Sequence, residues 1–182
     1  VAASRQPPDA RMMNAVLDSA VRRDLLLTAF HEAGHAVMAH LCGERLTRVE
    51  ILGDDGSSGS VSSLRLRREP DEGPVDPALP TVHLERRLLC LCAGMVCEHM
   101  VGGPEPGAES SEELDRAVGL ALQLVHRCER VLPLLEEVCE HAEVLLERHW
   151  TAVDVLALAL MMEREMSGDE VRRLIEPLLA GS

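Results

Sequence analysis

Two histidines four residues apart, with a glutamate directly after the first, form the part of this sequence best suited to chemistry: His31-Glu32-Ala33-Gly34-His35. On an α-helix, positions i and i+4 lie on one face about a turn apart, so two imidazoles can share one ion. Zinc favours imidazole nitrogen in a tetrahedral shell, and a catalytic zinc keeps one position open for water, whose pKa falls to about 7. Glu32, at the edge of the same face, can take the proton as hydroxide attacks a peptide carbonyl and return it to the leaving amine. The pattern therefore assigns His31 and His35 as metal ligands, Glu32 as general base and Zn2+ as cofactor. His40 is not a candidate ligand, because the extended His-Glu-x-x-His-x-x-Gly-x-x-His form would need Gly and His where Met38 and Leu41 stand.

For these groups to converge, the stretch must be helical. Leu25, Leu26, Ala29, Ala33, Ala36, Val37 and Leu41 recur at helical spacing, Ser19 is a candidate N-cap, and Gly43 stands in the C-terminal stop position. Ala33, Gly34 and Ala36 are small enough to admit a neighbouring helix and a substrate backbone. Residues 1–18 read as a tail, with Pro7 and Pro8, followed by a short helix, and residues 19–182 as one domain.

Composition agrees with a mainly α fold. Hydrophobic residues make up 46% of the 182 positions and aromatics only 1%, so Leu, Val, Ala and Met must fill the core. The exception is Arg48–Leu52 and Ser60–Leu66, two β-branched, alternating runs separated by Gly53, Gly56 and Gly59, which predict a small hairpin between the metal helix and the next. Residues 67–80, with four prolines, predict a surface loop. Further helices are predicted from Thr81 to about Val101, after Ser110, from Leu132 to about His149, from Ala152 to Met166 with Thr151 as cap, and from Asp169 to Leu179 behind a Ser167/Glu170 capping box.

A net charge of −13 argues against a nucleic-acid partner, since binding phosphates needs clustered cations. Every basic side chain is Arg. Without Lys, both a Walker-type phosphate loop and Schiff-base chemistry are excluded, so the chain cannot power unfolding of a substrate by itself. No apolar run approaches the roughly twenty residues of a membrane span. The six cysteines form no C-x-x-C pair and no secretory h-region opens the chain, so a cytoplasmic, reducing location is expected, with most of these thiols read as small buried hydrophobes.

Three stretches resemble the peptidase domain of the FtsH-type membrane-anchored AAA+ zinc metalloproteases. Phe30–Val37 (F-H-E-A-G-H-A-V) is similar to the family's metal helix, Leu91–Glu98 (L-C-A-G-M-V-C-E) to its Gly-Arg-Ala-Ala-Glu-Glu helix, and Ser111–Val118 (S-E-E-L-D-R-A-V) to the segment bearing its third ligand. The similarity covers roughly residues 22 to 178. It implies a third metal ligand at Glu113, where the family has Asp; Glu112 and Asp115, and more weakly Glu50, are alternatives, and the less favoured reading of Glu113 is a Ser110-x-x-Glu113 capping box. It further implies a metalloendopeptidase acting on unfolded or flexible polypeptide, a separate ATPase as partner, a homo-oligomeric ring, and a strand edge within Arg48–Leu66 that holds extended substrate. The alternative is a catalytically silent relative kept as an interaction or regulatory module.

Overall fold

The computed structural model describes residues 10–51, 81–107 and 112–180, with side chains from Val21 onward. Its elements, in chain order, are α1 (Ala10–Leu41), β1 (Arg48–Glu50), α2 (Thr81–Met100), α3 (Glu112–Val125), α4 (Val131–Arg148), α5 (Trp150–Glu163), β2 (Glu165–Ser167) and α6 (Gly168–Leu179). The fold is mainly helical, with one small antiparallel two-stranded sheet.

Helix α1 runs unbroken from Ala10, so Ser19 lies inside it and is not its N-cap. Its C-terminus matches the sequence signal. The Glu44 N–H donates to the Ala39 carbonyl and Gly43 adopts φ 75°, the left-handed conformation that glycine takes without a Cβ penalty.

Helix α2 is the shared wall of two cores. On one side Ala93, Val96 and Cys97 pack with Ala29, Ala33, Ala36 and Val37 of α1, together with Ala142 and Leu146 of α4, Val153, Leu156 and Leu160 of α5, and Ile175 of α6. On the other, Leu88 and Cys92 pack with Ala117, Leu120 and Ala121 of α3 and with Val131 and Leu135 of α4. Small residues set the α1–α2 approach: a Cβ on Gly34 would lie 2.6 Å from Cys97 Cβ and 2.7 Å from the Ala93 carbonyl oxygen. The chain's single Phe and single Trp stack on each other, Phe30 against Trp150 with centroids 5.6 Å apart and planes 14° off parallel, which ties α1 to the start of α5 beside the metal motif.

The sheet differs from the expected hairpin. Strand β1 pairs with β2, Arg48 opposite Ser167, Val49 opposite Met166 and Glu50 opposite Glu165, while the predicted second arm, 60–66, and the 67–80 loop lie outside the described residues. The helix expected to reach Met166 stops at Glu163. Arg164 there takes φ 66°, its N–H still bonded to the Leu160 carbonyl while its own carbonyl accepts from Ile51 N–H, and the chain turns from helix into strand. Helix α5 begins at Trp150 behind His149, with Thr151 inside it and not at its cap. The Ser167/Glu170 capping box forms as expected at α6, with Ser167 N–H donating to Glu170 Oε2 at 2.8 Å.

Candidate metal centre

Three side chains from two helices converge beside the packing of α1 on α2. His31 and His35 project from α1 with their Nε2 atoms 3.1 Å apart, and the Glu113 carboxylate of α3 spans both, Oε2 at 3.0 Å from His31 Nε2 and Oε1 at 3.1 Å from His35 Nε2. Among the described residues this is the one group of three or more His, Cys, Asp or Glu side chains placed to hold a metal ion. Glu112 and Asp115, on the same helix, are exposed, and Glu112 pairs with Arg116. Glu50 pairs with Arg48 on the sheet. Ser110 lies outside the described residues, and the Glu113 side chain is engaged by the two histidines.

Outer partners fix both rings. His35 is 2% exposed, and its Nδ1–H donates to the Cys90 carbonyl at 2.7 Å, an acceptor that can take only a proton. His31 Nδ1 donates to Glu98 Oε2 at 3.0 Å. With Nδ1 protonated on each neutral ring, both Nε2 atoms carry lone pairs, and these face each other and a carboxylate. Such a convergence of acceptors suits a cation. Tetrahedral zinc with Zn–N near 2.0–2.1 Å would set neighbouring donor atoms about 3.3 Å apart, close to the spacings here. Gly94 leaves the room: a Cβ there would sit 2.8 Å from His31 Nε2 and even closer to His35 Nε2.

Electrostatics agree with the donor geometry. Burial disfavours a charged His31, but the hydrogen-bonded carboxylates of Glu113 and Glu98 outweigh it, with Glu32 adding to the field, and raise its pKa to about 10. Burial likewise opposes an ionised Glu113, yet the two imidazoles hold its carboxyl well below the usual carboxylate range. Without a metal, the site draws a proton into the place of one. Glu32 is fully buried and neither carboxylate oxygen has a protein partner, an expensive arrangement for a structural side chain and a common one for a group that handles a proton.

Two contributors escaped sequence reasoning. Glu98 was legible only as part of a resembling helix, and its signal is a carboxylate four residues beyond Gly94 on the face turned toward α1. Gly94 had no signal beyond being a glycine inside a helical pattern, which calls for a close approach.

A family profile described as Peptidase M50B-like matches residues 14–67, a stretch that includes the His31–His35 turn of α1. The chain is 30% identical to ATP-dependent zinc metalloprotease FtsH 1 of Symbiobacterium thermophilum, over 86% of this chain and 30% of that protein. It is 26% identical to ATP-dependent zinc metalloprotease FTSH 9, chloroplastic/mitochondrial, of Oryza sativa subsp. japonica, over 86% of this chain and 23% of that one. With FtsH 2 of Sphaerobacter thermophilus the figures are 27% identity over 85% of this chain and 27% of the relative. The relatives are, by name, all zinc metalloproteases. Over most of its length the chain resembles the FtsH-type peptidase domain, and it spans about a third or less of the length of the curated relatives it matches. No helix among the described residues is long and apolar enough to cross a membrane.

Proposed function

We propose that this chain is a zinc metalloendopeptidase that hydrolyses peptide bonds in unfolded or flexible polypeptide. His31, His35 and Glu113 hold the ion, Glu98 and the Cys90 carbonyl orient the two imidazoles, and Glu32 is the general base. Bound zinc supplies Lewis acidity, polarising a carbonyl and bringing the acidity of water to about pH 7. Glu32 takes a proton from the attacking water and delivers it to the departing amine, which only a carboxylate free of protein partners can do without first breaking a bond. Because Glu32 follows His31 directly on α1, the base and the two histidine ligands move as one rigid element.

The observation that carries this reading is the facing of three lone-pair donors, each held by an outer partner or by the others, beside a buried and unpartnered carboxylate. The reach of Glu113 to both imidazoles supports it over a silent module. Relatives named ATP-dependent support a further element of the proposal, that an ATPase delivers the unfolded substrate. The test is purified protein loaded with zinc and offered an unstructured protein substrate. Wild type should bind about one zinc per chain and cleave, and Glu32→Gln should keep the metal and lose cleavage by on the order of 100-fold or more. Cleavage retained in that variant would defeat the mechanism.

A further inference from the structure

Helices α1 and α2 run antiparallel, and four contacts mark their register: Cys90 with His35, Cys97 with Gly34, Glu98 with His31 and, beyond the end of α2, Gly102 with Arg23. The last is a hydrogen bond of 2.8 Å from Arg23 Nη2 to the Gly102 carbonyl, between residues 79 positions apart. Gly102 and Gly103 close α2 in a Schellman motif. The Gly103 N–H donates to the Glu98 carbonyl at 2.9 Å and the Gly102 N–H to that of His99 at 2.9 Å, while Gly102 adopts φ 91°. The turn thereby folds back on Glu98, the residue that holds His31 Nδ1. A Cβ on Gly103 would lie 2.7 Å from Glu98 Cγ, so the Gly103 backbone walls one side of that side chain.

We propose that Arg23 is a positioning residue for the metal centre: it fixes the Gly102–Gly103 turn on α1, and the turn in turn keeps the Glu98 carboxylate on His31. A glutamate side chain has several torsions to restrain, and Glu98, a quarter exposed, is not restrained by burial alone. Its restraints are its own carbonyl bound by Gly103 N–H, its Cγ against the Gly103 backbone, and its carboxylate on the ring. Helix ends fray, so a turn tied only to the end of α2 would move with it. The guanidinium of Arg23 ties it to a different helix through a charge-assisted bond. Arg23 and His31 stand eight residues apart on α1, about 12 Å along its axis, so the circuit Arg23–Gly102–Gly103–Glu98–His31 begins and ends on one continuous helix. Opening the circuit at Arg23 widens the positions open to Glu98 and weakens the hold on the ring, while the apolar contacts between α1 and α2 stay intact.

The effect on zinc rests on the proposed function, with His31 as a ligand, whereas the effect on the His31–Glu98 bond does not. In the full chain with isotope-labelled histidine, the His31 ring N–H resonance is recorded without metal at one pH in wild type, Arg23→Ala, Gly103→Ala and Arg22→Ala. Arg22→Ala removes the same charge from the neighbouring exposed position. Zinc affinity is measured by competition against a chromophoric chelator. The His31 resonance should move in Arg23→Ala and in Gly103→Ala, which reaches Glu98 from the turn side, and stay in place in Arg22→Ala. Zinc affinity should fall by about 3- to 10-fold in Arg23→Ala, less than the roughly 10- to 100-fold loss expected on removing Glu98 itself. Helical circular dichroism should not fall, since alanine favours an exposed helix position. In a Glu98→Ala background, Arg23→Ala should cost no further zinc affinity, because its effect runs through the missing carboxylate. An unmoved His31 resonance in Arg23→Ala, an equal shift in Arg22→Ala, or additive losses in the double variant each overturns the proposal. A protein whose His31 resonance responds as expected but which binds no zinc in any form would support the role of Arg23 and sink the peptidase reading instead.

Discussion

The Nδ1 of His31 lies 3.0 Å from Glu98 Oε2, an ion-pair-grade contact between α1 and α2 that links residues 67 positions apart. The carboxylate fixes the ring's tautomer, turns Nε2 inward, and raises the basicity of the atom that faces His35 and Glu113. Glu98 is a quarter exposed, so solvent screens part of this effect but not the directionality of the bond.

Glu98→Ala should therefore lower zinc affinity by about 10- to 100-fold, and Glu98→Gln, whose amide oxygen can still accept the His31 proton, by less. Competition against a chromophoric chelator measures both. An unchanged affinity in Glu98→Ala would show that the contact is incidental.

Gly94 offers a sharper steric test. Alanine in a helix interior is favoured over glycine by about 1 kcal/mol, so on propensity alone Gly94→Ala should stabilise the fold. The added Cβ, however, falls 2.8 Å from His31 Nε2 and within contact of His35 Nε2, in the space between the donors. The expected result is a protein that retains its helical circular dichroism and loses stoichiometric zinc. Normal zinc content in this variant would mean that the imidazoles meet the metal from another side.

Much of this centre was legible in the sequence because it is local. His31, Glu32 and His35 lie within one helical turn and a half, and helical periodicity places them whatever surrounds α1. Glu113 came from resemblance, since no spacing rule connects it to residues 82 and 78 positions away. The roles of the outer partners were not legible: Glu98 stood only within a resembling helix, and its contact with His31 depends on how closely α2 approaches α1, which the small residues at Gly34 and Gly94 permit without specifying. The sheet was misread for a related reason. A β-branched residue and alternation mark Arg48–Glu50 as strand, but its partner, β2, is the polar stretch Glu165-Met166-Ser167, which carries no strand signal of its own and begins only where Arg164 adopts a left-handed conformation after α5.

With zinc bound as proposed, proton and metal compete for the site, which fixes the sign of its pH dependence. In the metal-free protein the pKa of His31 is raised from 6.5 to about 10, so its contribution to stability is complete below 6.5 and is lost as pH rises through about 10. Glu113, held below its ordinary range, contributes above about pH 4.5 and loses that contribution on further acidification. Chemical denaturation of the metal-free protein should thus show stability declining between about pH 6.5 and pH 10. Zinc binding should run the other way, strengthening by about one order of magnitude per pH unit over the same interval as one proton is displaced. Calorimetry in buffers of different ionisation enthalpy counts that proton, and a count of zero at pH 8 would contradict the shared site.

Glu113 stands where the resembling family has Asp, and the distances explain what the longer side chain achieves. Its two oxygens reach 3.0 and 3.1 Å from the two Nε2 atoms, a balanced position that α3 attains from its present seat against Leu88 and Cys92 of α2. Shortening the side chain by one carbon withdraws the carboxylate by about 1.5 Å unless α3 moves inward. That movement would have to compress Ala117 and Ala121, which are already fully buried. Glu113→Asp should therefore bind zinc at least about tenfold more weakly, as expected for an imperfectly reached ligand, and Glu113→Gln, which keeps the length and drops the charge, should also be impaired. The decisive comparison is zinc affinity across wild type, Asp and Gln at one pH. Tighter binding by the Asp variant would show that α3 sits closer to the metal in solution and that the match of Glu113 to its site is not what holds the ion.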